Sequence, residues 1–378
     1  MWTARLSRRT AINALGRFKR EEEDFISEDE RARLIEEIGG YWSCAHSFWV
    51  FTHEHPDGDA LGCNLATYAV LKALGKEVKV FSYDPIPRMY RFLPHVGSIV
   101  HTHNLPSRLP DVIQVNDNAA FERIGSDFAE QLTERGIGPR ATRRDPVCKV
   151  LNLDHHIGND CFGDVNLIDP SCGACGELLF HAFRQLKLPI THDVAVNLYA
   201  AIMTDTGRFS YSNTDADTFY ITTDLIRAGA DPFDVANRVY NTRTIGQMRL
   251  FAKVMETITI EPSLGYFYCT CTQEMLNETK TLMSDTEGIT DLMKTVSDYP
   301  VSFFFKEEGP SNYKISARSN GSFDVRKLAR RFGGGGHPAA SGFRLHMPYA
   351  EACRTLAVEM RRYRDELAAA QEIIEEWE

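Results

Sequence analysis

The chain has 378 residues, with 42 Lys and Arg against 52 Asp and Glu, so its formal net charge is −10. A chain of this length predicts two domains, because a domain usually has roughly 100–200 residues. The 43% hydrophobic and 25% charged residues exclude a disordered or fibrous chain. The acidic balance argues against a long nucleic-acid track, which needs clustered Lys and Arg, and no apolar run approaches the ~18 residues of a membrane span. A small anionic substrate held by local cations or metals stays open.

The first twenty residues are basic but contain no continuous apolar segment, which excludes a secretory signal. They predict a basic amphipathic helix packed on the first domain, with a transit peptide as the alternative. The nine cysteines are an odd number in a chain long enough to form a large core, so a disulfide scaffold is not expected. The one CxxC pair, Cys172 and Cys175, cannot form a four-thiolate zinc site, and we expect packing roles rather than redox chemistry. A reducing cytoplasm is the predicted compartment.

From about residue 47 to residue 223, short apolar runs alternate with helical patterns, which is typical of a parallel α/β sheet. The predicted strands are SFWVFTH, VKVFSY, DVIQVND and KVLNLDHH. The predicted helices are ALGCNLATYAVLKALG, closed by Gly75, and AVNLYAAIMTDTG, which is buried and ends at a polar tip. The polar insertion ERGIGPRATRRDPVC predicts a surface loop.

Beyond about Arg243 the pattern changes to that of a smaller α+β domain. TITIEPSLGYFYCTC, PVSFFFKEE and NYKISARS predict hairpin strands rather than crossover units. DVRKLARRF predicts a short helix with Asp324 as its N-cap, ended by four glycines. The fold class is therefore α/β, and the predicted segments are a helical extension over 1–45, a parallel-sheet domain over 46–223, a helical linker over 224–255, the smaller α+β domain over 256–348 and a C-terminal helix over 349–378.

Acids and imidazoles occur at the ends of four predicted elements. They are His53 with Asp57 and Asp59 after the first strand, Asp117 after another strand, Asp154 with His155 and His156 after a third, and Asp205 at the tip of a buried helix. Ligands of open α/β sheets bind at the carboxyl ends of the strands. We therefore expect these side chains to meet at one site.

Carboxylates packed this closely would repel one another unless cations lay between them. Carboxylates with a minority of imidazoles suit Mn²⁺ or Mg²⁺, whereas zinc favours thiolate-rich sites. The ligands suffice for two ions with one carboxylate bridging, and ions about 3.5–4 Å apart can drive a phosphoryl displacement. Any one segment has an ordinary explanation, since Asp-Gly-Asp is most often a turn and a single Asp can cap a strand. The agreement of four segments favours the metal site.

The same residues match the motifs of a known family, in order. His53-x-x-Pro56-Asp57-Gly58-Asp59-Ala60, Asp117, Asp154-His155-His156 and Thr204-Asp205-Thr206-Gly207 resemble the four motifs of the DHH phosphoesterases. Residues 333–343, GGGGHPAASGF, resemble the glycine-rich signature of the DHH-associated C-terminal domain. The two-domain layout is most similar to the oligoribonucleases that also act as pAp phosphatases. The resemblance implies a catalytic DHH domain, a substrate-binding C-terminal domain and an active site in the cleft between them.

The resemblance also implies a role for each matching residue. His53 and Asp57 would bind one Mn²⁺, Asp59, His155 and Asp205 would bind the second, and Asp117 would bridge the two, with Mg²⁺ as the alternative metal. Asp154 would orient a His, and His156 would contact the scissile phosphate and stabilise charge in the transition state. Asp117, Asp154 and His156 are thus the predicted catalytic residues.

The predicted substrate-binding residues lie in the second domain. By resemblance they are Arg318, Gly334, Gly335, Gly336 and His337, which would contact the phosphate or base of the nucleotide. A run of glycines lets backbone N–H groups approach an anion without Cβ interference. The helix just before the glycines adds positive charge, part of it a solvated face, through Arg326, Lys327, Arg330 and Arg331.

The sequence departs from the family pattern at three places. After the Asp of its second motif the family usually has a small hydroxyl residue and a further acid, where this chain has Asn118-Ala119-Ala120. We expect the hydrogen bonds around Asp117 to differ accordingly. The insertion before Asp154 is longer than usual, and Cys172 and Cys175 stand where small Ala or Thr residues are common.

The predicted function is Mn²⁺-dependent hydrolysis of very short 5′-phosphorylated oligonucleotides to mononucleotides, with removal of the 3′-phosphate of pAp as a second activity. The protein is expected to be cytoplasmic, with no long nucleic-acid track and no membrane contact, and a homodimer is left open. The alternatives are a phosphodiesterase for linear or cyclic di-AMP, a single-strand DNA exonuclease and a catalytically silent nucleotide-binding protein. The exonuclease would need an added binding module and a basic groove, neither of which is evident. A stoichiometry of about two bound Mn²⁺ per chain would favour an enzyme over the silent protein.

Overall fold

The computed structural model describes residues 26–141, 148–320 and 323–375, apart from the side chains of His337 and of residues 368–375. The basic helix predicted for the first twenty residues lies outside the described residues, as does part of the loop predicted before Asp154. The described chain divides between Thr242 and Arg243 into two compact units.

The first unit is a sheet with helices on both faces. Its strands are β1 (Ser47–Phe51), β2 (Glu77–Ser82), β3 (Ile99–His101), β4 (Val112–Asn116), β5 (Lys149–Asp154) and β6 (Val165–Ile168). Its helices are α1 (Glu28–Cys44), α2 (Gly58–Ala73), α3 (Ser126–Glu134), α4 (Cys175–Gln185), α5 (His192–Asp205), α6 (Ala216–Arg227) and α7 (Pro232–Tyr240). The four predicted strands and both predicted helices are present, whereas β3, β6, α3, α4 and α6 were not predicted.

The six strands of this sheet are parallel and lie in the order β3-β2-β1-β4-β5-β6. Every residue of β4 is buried, as expected for a central strand covered on both faces. Apolar side chains of α1, α2, α4 and α5 cover one face, and a second cluster around α3 covers the other. The strand order reverses between β1 and β4, and such a switch point is where open α/β sheets bind ligands.

Helices α2 and α5 pack very closely because α2 presents glycine to α5. A Cβ atom at Gly62 would lie 2.3 Å from the carbonyl oxygen of Asn197, a distance that no other residue could accommodate without moving the helices apart. A Cβ atom at Gly58 would lie 2.4 Å from Oγ1 of Thr204. This packing brings the acidic start of α2 beside Asp205 at the end of α5.

The second unit contains a six-stranded sheet and five helices among its described residues. Its strands are β7 (Thr259–Glu261), β8 (Tyr266–Cys271), β9 (Val301–Gly309), β10 (Asn312–Ser319), β11 (Gly335–His337) and β12 (Ala340–Leu345). Its helices are α8 (Ile245–Glu256), α9 (Gln273–Thr279), α10 (Ile289–Lys294), α11 (Val325–Arg331) and α12 (Tyr349–Glu375). The sheet order is β11-β12-β10-β9-β8-β7.

The sheet of the second unit is mixed, which corrects one expectation. β7–β8 and β9–β10 are antiparallel pairs, but β8 and β9 are parallel and are joined by a crossover through α9 and α10. The prediction of hairpin strands without crossover units is therefore wrong at this connection. The physical reason is that Leu276, Ile289 and Met293 of the crossover are buried on β8 and β9, so this segment covers one face of the sheet.

The short helix predicted before the glycines is confirmed as α11. The Asp324 carboxylate accepts a hydrogen bond from the backbone N–H of Arg326 at 3.0 Å, and the helix ends before Gly333, whose φ is +72°. Helix α12 covers Tyr349–Glu375 of the segment predicted as a C-terminal helix. No helix in the described part of the chain is long and apolar enough to cross a membrane.

Candidate active site

The polar residues predicted from sequence converge at the carboxyl ends of β1, β4 and β5. Asp117 follows β4 directly and lies between two groups of side chains, His53 with Asp57 and His155 with its acidic neighbours. The Asp117 carboxylate is buried, and its Oδ2 lies 3.7 Å from Nε2 of His53 while its Oδ1 lies 3.5 Å from Nε2 of His155. One carboxylate therefore faces both groups with a different oxygen.

The backbone at Asp117 has the left-handed conformation, with φ of +57°. Among residues other than glycine, Asp and Asn adopt this conformation most readily, and it often occurs at functional sites. The end of β4 is held by a buried hydrogen bond from Asn116 Nδ2 to Asn64 Oδ1 on α2 at 2.7 Å, and the Asp117 N–H donates to the carbonyl of Leu153 at 2.9 Å. These two contacts fix the backbone that carries Asp117.

The first group consists of His53, Asp57 and Asp117. The Nδ1–H of His53 donates to the carbonyl of Glu54 at 2.7 Å, so Nε2 is the nitrogen that faces the acids. It lies 3.8 Å from Oδ1 of Asp57. Asp57 is also the N-cap of α2, accepting hydrogen bonds from the N–H groups of Asp59 and Ala60 at 3.1 Å each. The cap fixes the carboxylate at the edge of the site, where it is half exposed.

The second group consists of Asp59, His155 and Asp205. The carbonyl of Cys172 accepts from Nδ1 of His155 at 3.3 Å, which leaves Nε2 facing Oδ2 of Asp59 at 3.8 Å and Oδ2 of Asp205 at 3.5 Å. Asp59 is fully buried and accepts hydrogen bonds from the N–H of Cys175 at 2.7 Å and the N–H of Gly176 at 3.0 Å, at the start of α4. The positive end of this helix stabilises a buried carboxylate.

Asp154 and His156 form a hydrogen-bonded pair beside Asp117. Oδ1 of Asp154 lies 2.7 Å from Nδ1 of His156, and Oδ2 accepts from the side-chain amide of Asn159 at 2.6 Å. The Asp154 carboxylate is therefore already engaged by hydrogen bonds on both oxygens, which fits an orienting role better than metal ligation. The ring of His156 in turn lies near Oδ1 of Asp117, at 3.6 Å.

The pKa values of the buried acids are shifted in opposite directions, upward at Asp59 and Asp205 and downward at Asp117. Burial, with the nearby charges of Asp117 and Asp205, raises the pKa of Asp59, and burial raises the pKa of Asp205 to about 6. Burial also disfavours the charged form of Asp117, yet its contacts with His155 and His53 hold its pKa well below the usual range. Burial opposes protonation of His53, but Asp117 and Asp57 raise its pKa to about 10. The site thus attracts positive charge strongly.

The side chains fit a divalent metal. Within the described residues, Oδ1 of Asp117 and Nε2 of His155 are buried without a hydrogen-bond partner, which is costly unless another ligand is bound. The separations of 3.5–3.8 Å between His155 and its three acids are too long for hydrogen bonds. Two ligands held at about 2.1 Å by one octahedral ion lie about 3 Å apart, so a small contraction would form such a site.

The structure places the predicted substrate-binding residues in the second unit, around β10, β11 and β12. Arg318 is half-buried, and its guanidinium donates to the hydroxyl of Thr290 at 3.4 Å. Close packing explains why glycine stands at positions 334 and 336, since Cβ atoms there would lie 2.1 Å and 2.5 Å from carbonyl oxygens of β12. Gly335, in contrast, faces open space. His337 pairs with Ala340 in the sheet, and its side chain lies outside the described part. Contact of these residues with a nucleotide stays a prediction.

Three lysines that were not predicted lie near Arg318. Lys306 on β9 pairs with Lys314 on β10, and both face away from the apolar core under α11 and α12. Burial and the charges of Lys314 and Arg318 lower the pKa of Lys306 to about 8, and burial with Arg318 lowers the pKa of Lys294. We call Lys294, Lys306, Lys314 and Arg318 the cationic cluster. Its signal in the sequence was the alternation of polar and apolar residues along NYKISARS.

The structure places both CxxC thiols in the core. Cys172 and Cys175 are buried free thiols, and burial raises the pKa of Cys175 to about 11. A redox pair needs a lowered thiol pKa and access to solvent. The packing role expected from the sequence therefore fits, and Cys175 contributes its backbone N–H to Asp59.

We expect the thiols of the native protein to react in two groups. Cys44 and Cys161 are exposed and should react rapidly with an aromatic disulfide reagent at pH 8, followed by the half-buried Cys353. The other six of the nine cysteines are buried and should react only on unfolding. The measurement is a thiol titration with and without denaturant. Rapid reaction of Cys172 or Cys175, identified by peptide mass mapping, would contradict the packing role.

Comparison with known proteins agrees with this fold. Residues 47–202 match the DHH family, N-terminal domain, and residues 265–375 match the DHHA1 domain. The chain thus contains a DHH family N-terminal domain and a DHHA1 domain. The acid-and-histidine cluster, which could bind metal, lies in and just beyond the first of these matched segments.

Individual relatives resemble the chain over most of its length. The bifunctional oligoribonuclease and PAP phosphatase NrnA of Thermus thermophilus is 29% identical over 315 residues, covering 83% of this chain and 88% of that protein. The protein of the same name from Bacillus subtilis is 24% identical over 308 residues, covering 81% and 91%. The crystal structure of an exopolyphosphatase-related protein from Bacteroides fragilis has a TM-score of 0.80 at 24% identity, covering 89% of this chain and 98% of that one, and supports the fold.

Proposed function

We propose that the protein is a two-metal phosphodiesterase that hydrolyses short 5′-phosphorylated oligonucleotides to mononucleotides and also removes the 3′-phosphate of pAp. The observation that carries the proposal is the position of Asp117, whose two oxygens face two separate ligand groups. The names of the Thermus and Bacillus relatives, oligoribonuclease and PAP phosphatase, support the substrate class. Mn²⁺ is the proposed metal, because the donors are carboxylates with a minority of imidazoles.

Each ligand group would hold one ion. His53 and Asp57 would hold the first, and Asp59, His155 and Asp205 the second, with Asp117 shared between them. When bound, a pair of divalent ions supplies positive charge that lowers the pKa of water and neutralises the phosphate under attack. Hydrogen bonds from Nδ1 to backbone carbonyls fix the rings of His53 and His155, so that their Nε2 atoms face the acids.

His156 would stabilise the phosphate during the reaction. Burial opposes its charged form, but the hydrogen bond to Asp154 and the charge of Asp117 raise the pKa of His156. The imidazolium is therefore available to offset negative charge that develops on the phosphate oxygens. Asp154 acts by holding the ring, and Asn159 holds Asp154. Water adds to phosphorus, the bond to the leaving ribose oxygen breaks, and that oxygen takes up a proton.

The cationic cluster of the second unit supports an anionic substrate. Lys306 and Lys314 pair across neighbouring strands, and Arg318 is close enough to depress the pKa of Lys306. The carboxylates of Glu308 and Asp291 offset part of the repulsion among these cations, and a bound anion would offset more of it. A 5′-phosphate is the group of the proposed substrate that would relieve this repulsion. A cluster of this size suits a short substrate rather than a polymer, in keeping with the net charge of −10.

Replacement of Lys306 tests this assignment through the pH dependence of substrate binding. The pKa of about 8 means that Lys306 loses its charge as the pH rises through that value, so KM for pApA should rise above pH 8 while kcat stays unchanged. Lys306→Gln should show a KM about tenfold higher already at pH 7, because a hydrogen bond to a charged group is lost. Lys306→Arg should keep the low KM to higher pH, because arginine stays protonated.

The matched control for Lys306 is Lys253→Gln in the same unit. Lys253 is an exposed residue of α8 that pairs with Glu278, remote in sequence from the cationic cluster. Its replacement should leave the KM profile unchanged. A Lys306→Gln protein with the wild-type KM at every pH would remove this residue from the substrate site.

The function itself is tested by incubating the metal-loaded protein with pApA, pAp, cyclic di-AMP and a 5′-labelled 24-mer. Release of AMP from pApA, with slower attack on the 24-mer, supports the proposal, and phosphate release from pAp supports the second activity. Preference for cyclic di-AMP would assign the alternative phosphodiesterase. Preference for the 24-mer would assign a polynucleotide exonuclease, and bound metal without turnover of any substrate would favour the silent binding protein.

A further inference from the structure

Helix α1 carries a buried charge contact that none of the proposed catalytic steps uses. Nη1 of Arg31 lies 2.9 Å from Oδ2 of Asp169, whose side chain is 1% exposed. The helix precedes the segment that matches the DHH family, which begins at residue 47. Leu34, Ile35, Ile38 and Trp42 bury the apolar face of α1 in the core, so packing alone would attach the helix. The ion pair therefore needs a separate explanation.

Asp169 begins the loop that joins β6 to α4. Its backbone N–H donates to the carbonyl of Asp154 at 2.9 Å, and its own carbonyl accepts from the N–H of Cys172 at 3.1 Å. Its Oδ1 accepts hydrogen bonds from the N–H of Ser171 at 3.0 Å and from the hydroxyl of Ser171 at 2.6 Å. One carboxylate thus holds the loop with Oδ1 and α1 with Oδ2.

The same loop orients two members of the second metal-ligand group. The carbonyl of Cys172 accepts a hydrogen bond from Nδ1 of His155, and the N–H groups of Cys175 and Gly176 donate hydrogen bonds to the two carboxylate oxygens of Asp59. Residues 169–176 therefore support both ligands, and we call this segment the bracket loop. A shift of this loop would move the donors and acceptors of His155 and Asp59 together.

The far side of the bracket loop is also held. The Glu177 carboxylate accepts from the N–H of Gly173 at 2.9 Å, and the side-chain amide of Asn213 donates to the carbonyl of Gly173 at 2.7 Å. The same Asn213 amide donates to the carbonyl of Asp205 at 3.1 Å. With Arg31 at the start of the loop and Asn213 near its middle, the bracket loop is connected to all three members of the second group.

We propose that Arg31 is a positioning residue for metal binding: it ties Asp169 to α1 and so fixes the bracket loop against His155 and Asp59. This inference rests on the proposed two-metal function. An outer contact of this kind commonly changes metal affinity by about tenfold or more without touching the ion. The expected signature is a weaker second binding step, while the group of His53 and Asp57 keeps its affinity.

The test is a titration of the chelator-treated full chain with Mn²⁺. Binding is monitored by the EPR signal of free Mn²⁺, so the measurement does not depend on catalytic turnover. Arg31→Gln should weaken one of two binding steps about tenfold. Arg31→Lys should restore most of the affinity, because the contact uses a single guanidinium nitrogen. Arg33→Gln is the control on the same helix, since Arg33 is exposed and pairs only with Glu37 among the interactions described. It should bind Mn²⁺ like the wild type.

A second variant separates positioning from stability, because Arg31→Gln leaves a buried carboxylate unpaired. The double change Arg31→Met with Asp169→Asn removes both charges and keeps an acceptor for Ser171, so the protein should fold with a Tm near that of the wild type. If it still binds the second Mn²⁺ about tenfold more weakly, positioning is supported. Wild-type affinity in the double variant, or in a folded Arg31→Gln protein, would overturn the role of Arg31. Failure of the wild-type chain itself to bind two Mn²⁺ would instead overturn the proposed function.

Discussion

Replacing Asp117 with Asn is expected to lower kcat/KM for pApA by about a thousandfold or more, because a shared ligand supplies several kcal/mol of charge stabilisation and 1.36 kcal/mol corresponds to tenfold in rate. Asn is the appropriate replacement, since it has the same shape and tolerates the left-handed backbone at this position, where φ is +57°. It removes the charge that faces His53 and His155. The measurement is steady-state kinetics with saturating Mn²⁺, together with circular dichroism to check the fold.

The same strand provides a matched control. Asp111 immediately precedes β4, and its Oδ2 accepts hydrogen bonds from the N–H groups of His46 at 2.9 Å and Ser47 at 3.0 Å, at the opposite end of the sheet. Asp111→Asn keeps an acceptor there, so kcat/KM should stay within about twofold of the wild type. Equal losses in the two variants would mean that the unit is merely destabilised. Full activity in a folded Asp117→Asn protein would remove Asp117 from the site.

Removal of metal should abolish hydrolysis and also destabilise the first unit. Asp59, Asp117 and Asp205 all face His155, and the pKa of Asp59 is raised partly by its acidic neighbours, so the site without cations stores repulsion. A metal present at 100 times its Kd stabilises by about 2.7 kcal/mol. For a unit of this size that corresponds to a rise in Tm of about 5–10 °C. The measurement is calorimetry on chelator-treated protein with and without added Mn²⁺.

The His155→Ala variant, with His181→Ala as its control, tests whether this thermal shift comes from the proposed metal site. It removes the imidazole whose Nε2 is buried without a hydrogen-bond partner in the described part of the chain, and so it should lose much of the Mn²⁺-dependent rise in Tm. His181→Ala removes a partly buried imidazole that pairs with Asp217 and belongs to neither ligand group, so this variant should keep the rise in Tm. An identical Tm with and without Mn²⁺ in the wild type would argue against a metal bound at this site.

The parallel sheet was predictable because its central strands are short runs rich in Val, Ile and Leu. VIQVN immediately precedes Asp117, and KVLNLD ends with Asp154. Because the carboxyl ends of parallel strands meet at one edge of a sheet, the sequence predicts that these two acids lie close together. β3 and β6 escaped prediction because they are short, three and four residues long, and only their pairing with neighbours defines them. The parallel β8–β9 pair escaped because α9 and α10, seven and six residues long, are too short to show the helical periodicity that marks a crossover.

The groups that orient the site could not be predicted from spacing. Asn159 and Asn213 act through side-chain amides on Asp154 and Gly173, and nothing in the neighbouring sequence distinguishes them from loop residues. Arg31 and Asp169 are 138 positions apart, so only the folded chain brings the charges together. Long-range contacts of this kind depend on the packing of α1, which the sequence indicates only as a helix.

The dependence of kcat/KM on oligonucleotide length is the most direct test of the central claim that this is a metal-dependent phosphodiesterase for short substrates. A series of 5′-phosphorylated oligoribonucleotides from two to 24 residues would be assayed with Mn²⁺-loaded protein and with Asp117→Asn. We expect the highest kcat/KM for the shortest oligonucleotides and a steady fall as the oligonucleotide lengthens. Activity at every length should be lost in Asp117→Asn. A kcat/KM that rises with length, or a profile unchanged in Asp117→Asn, would contradict it.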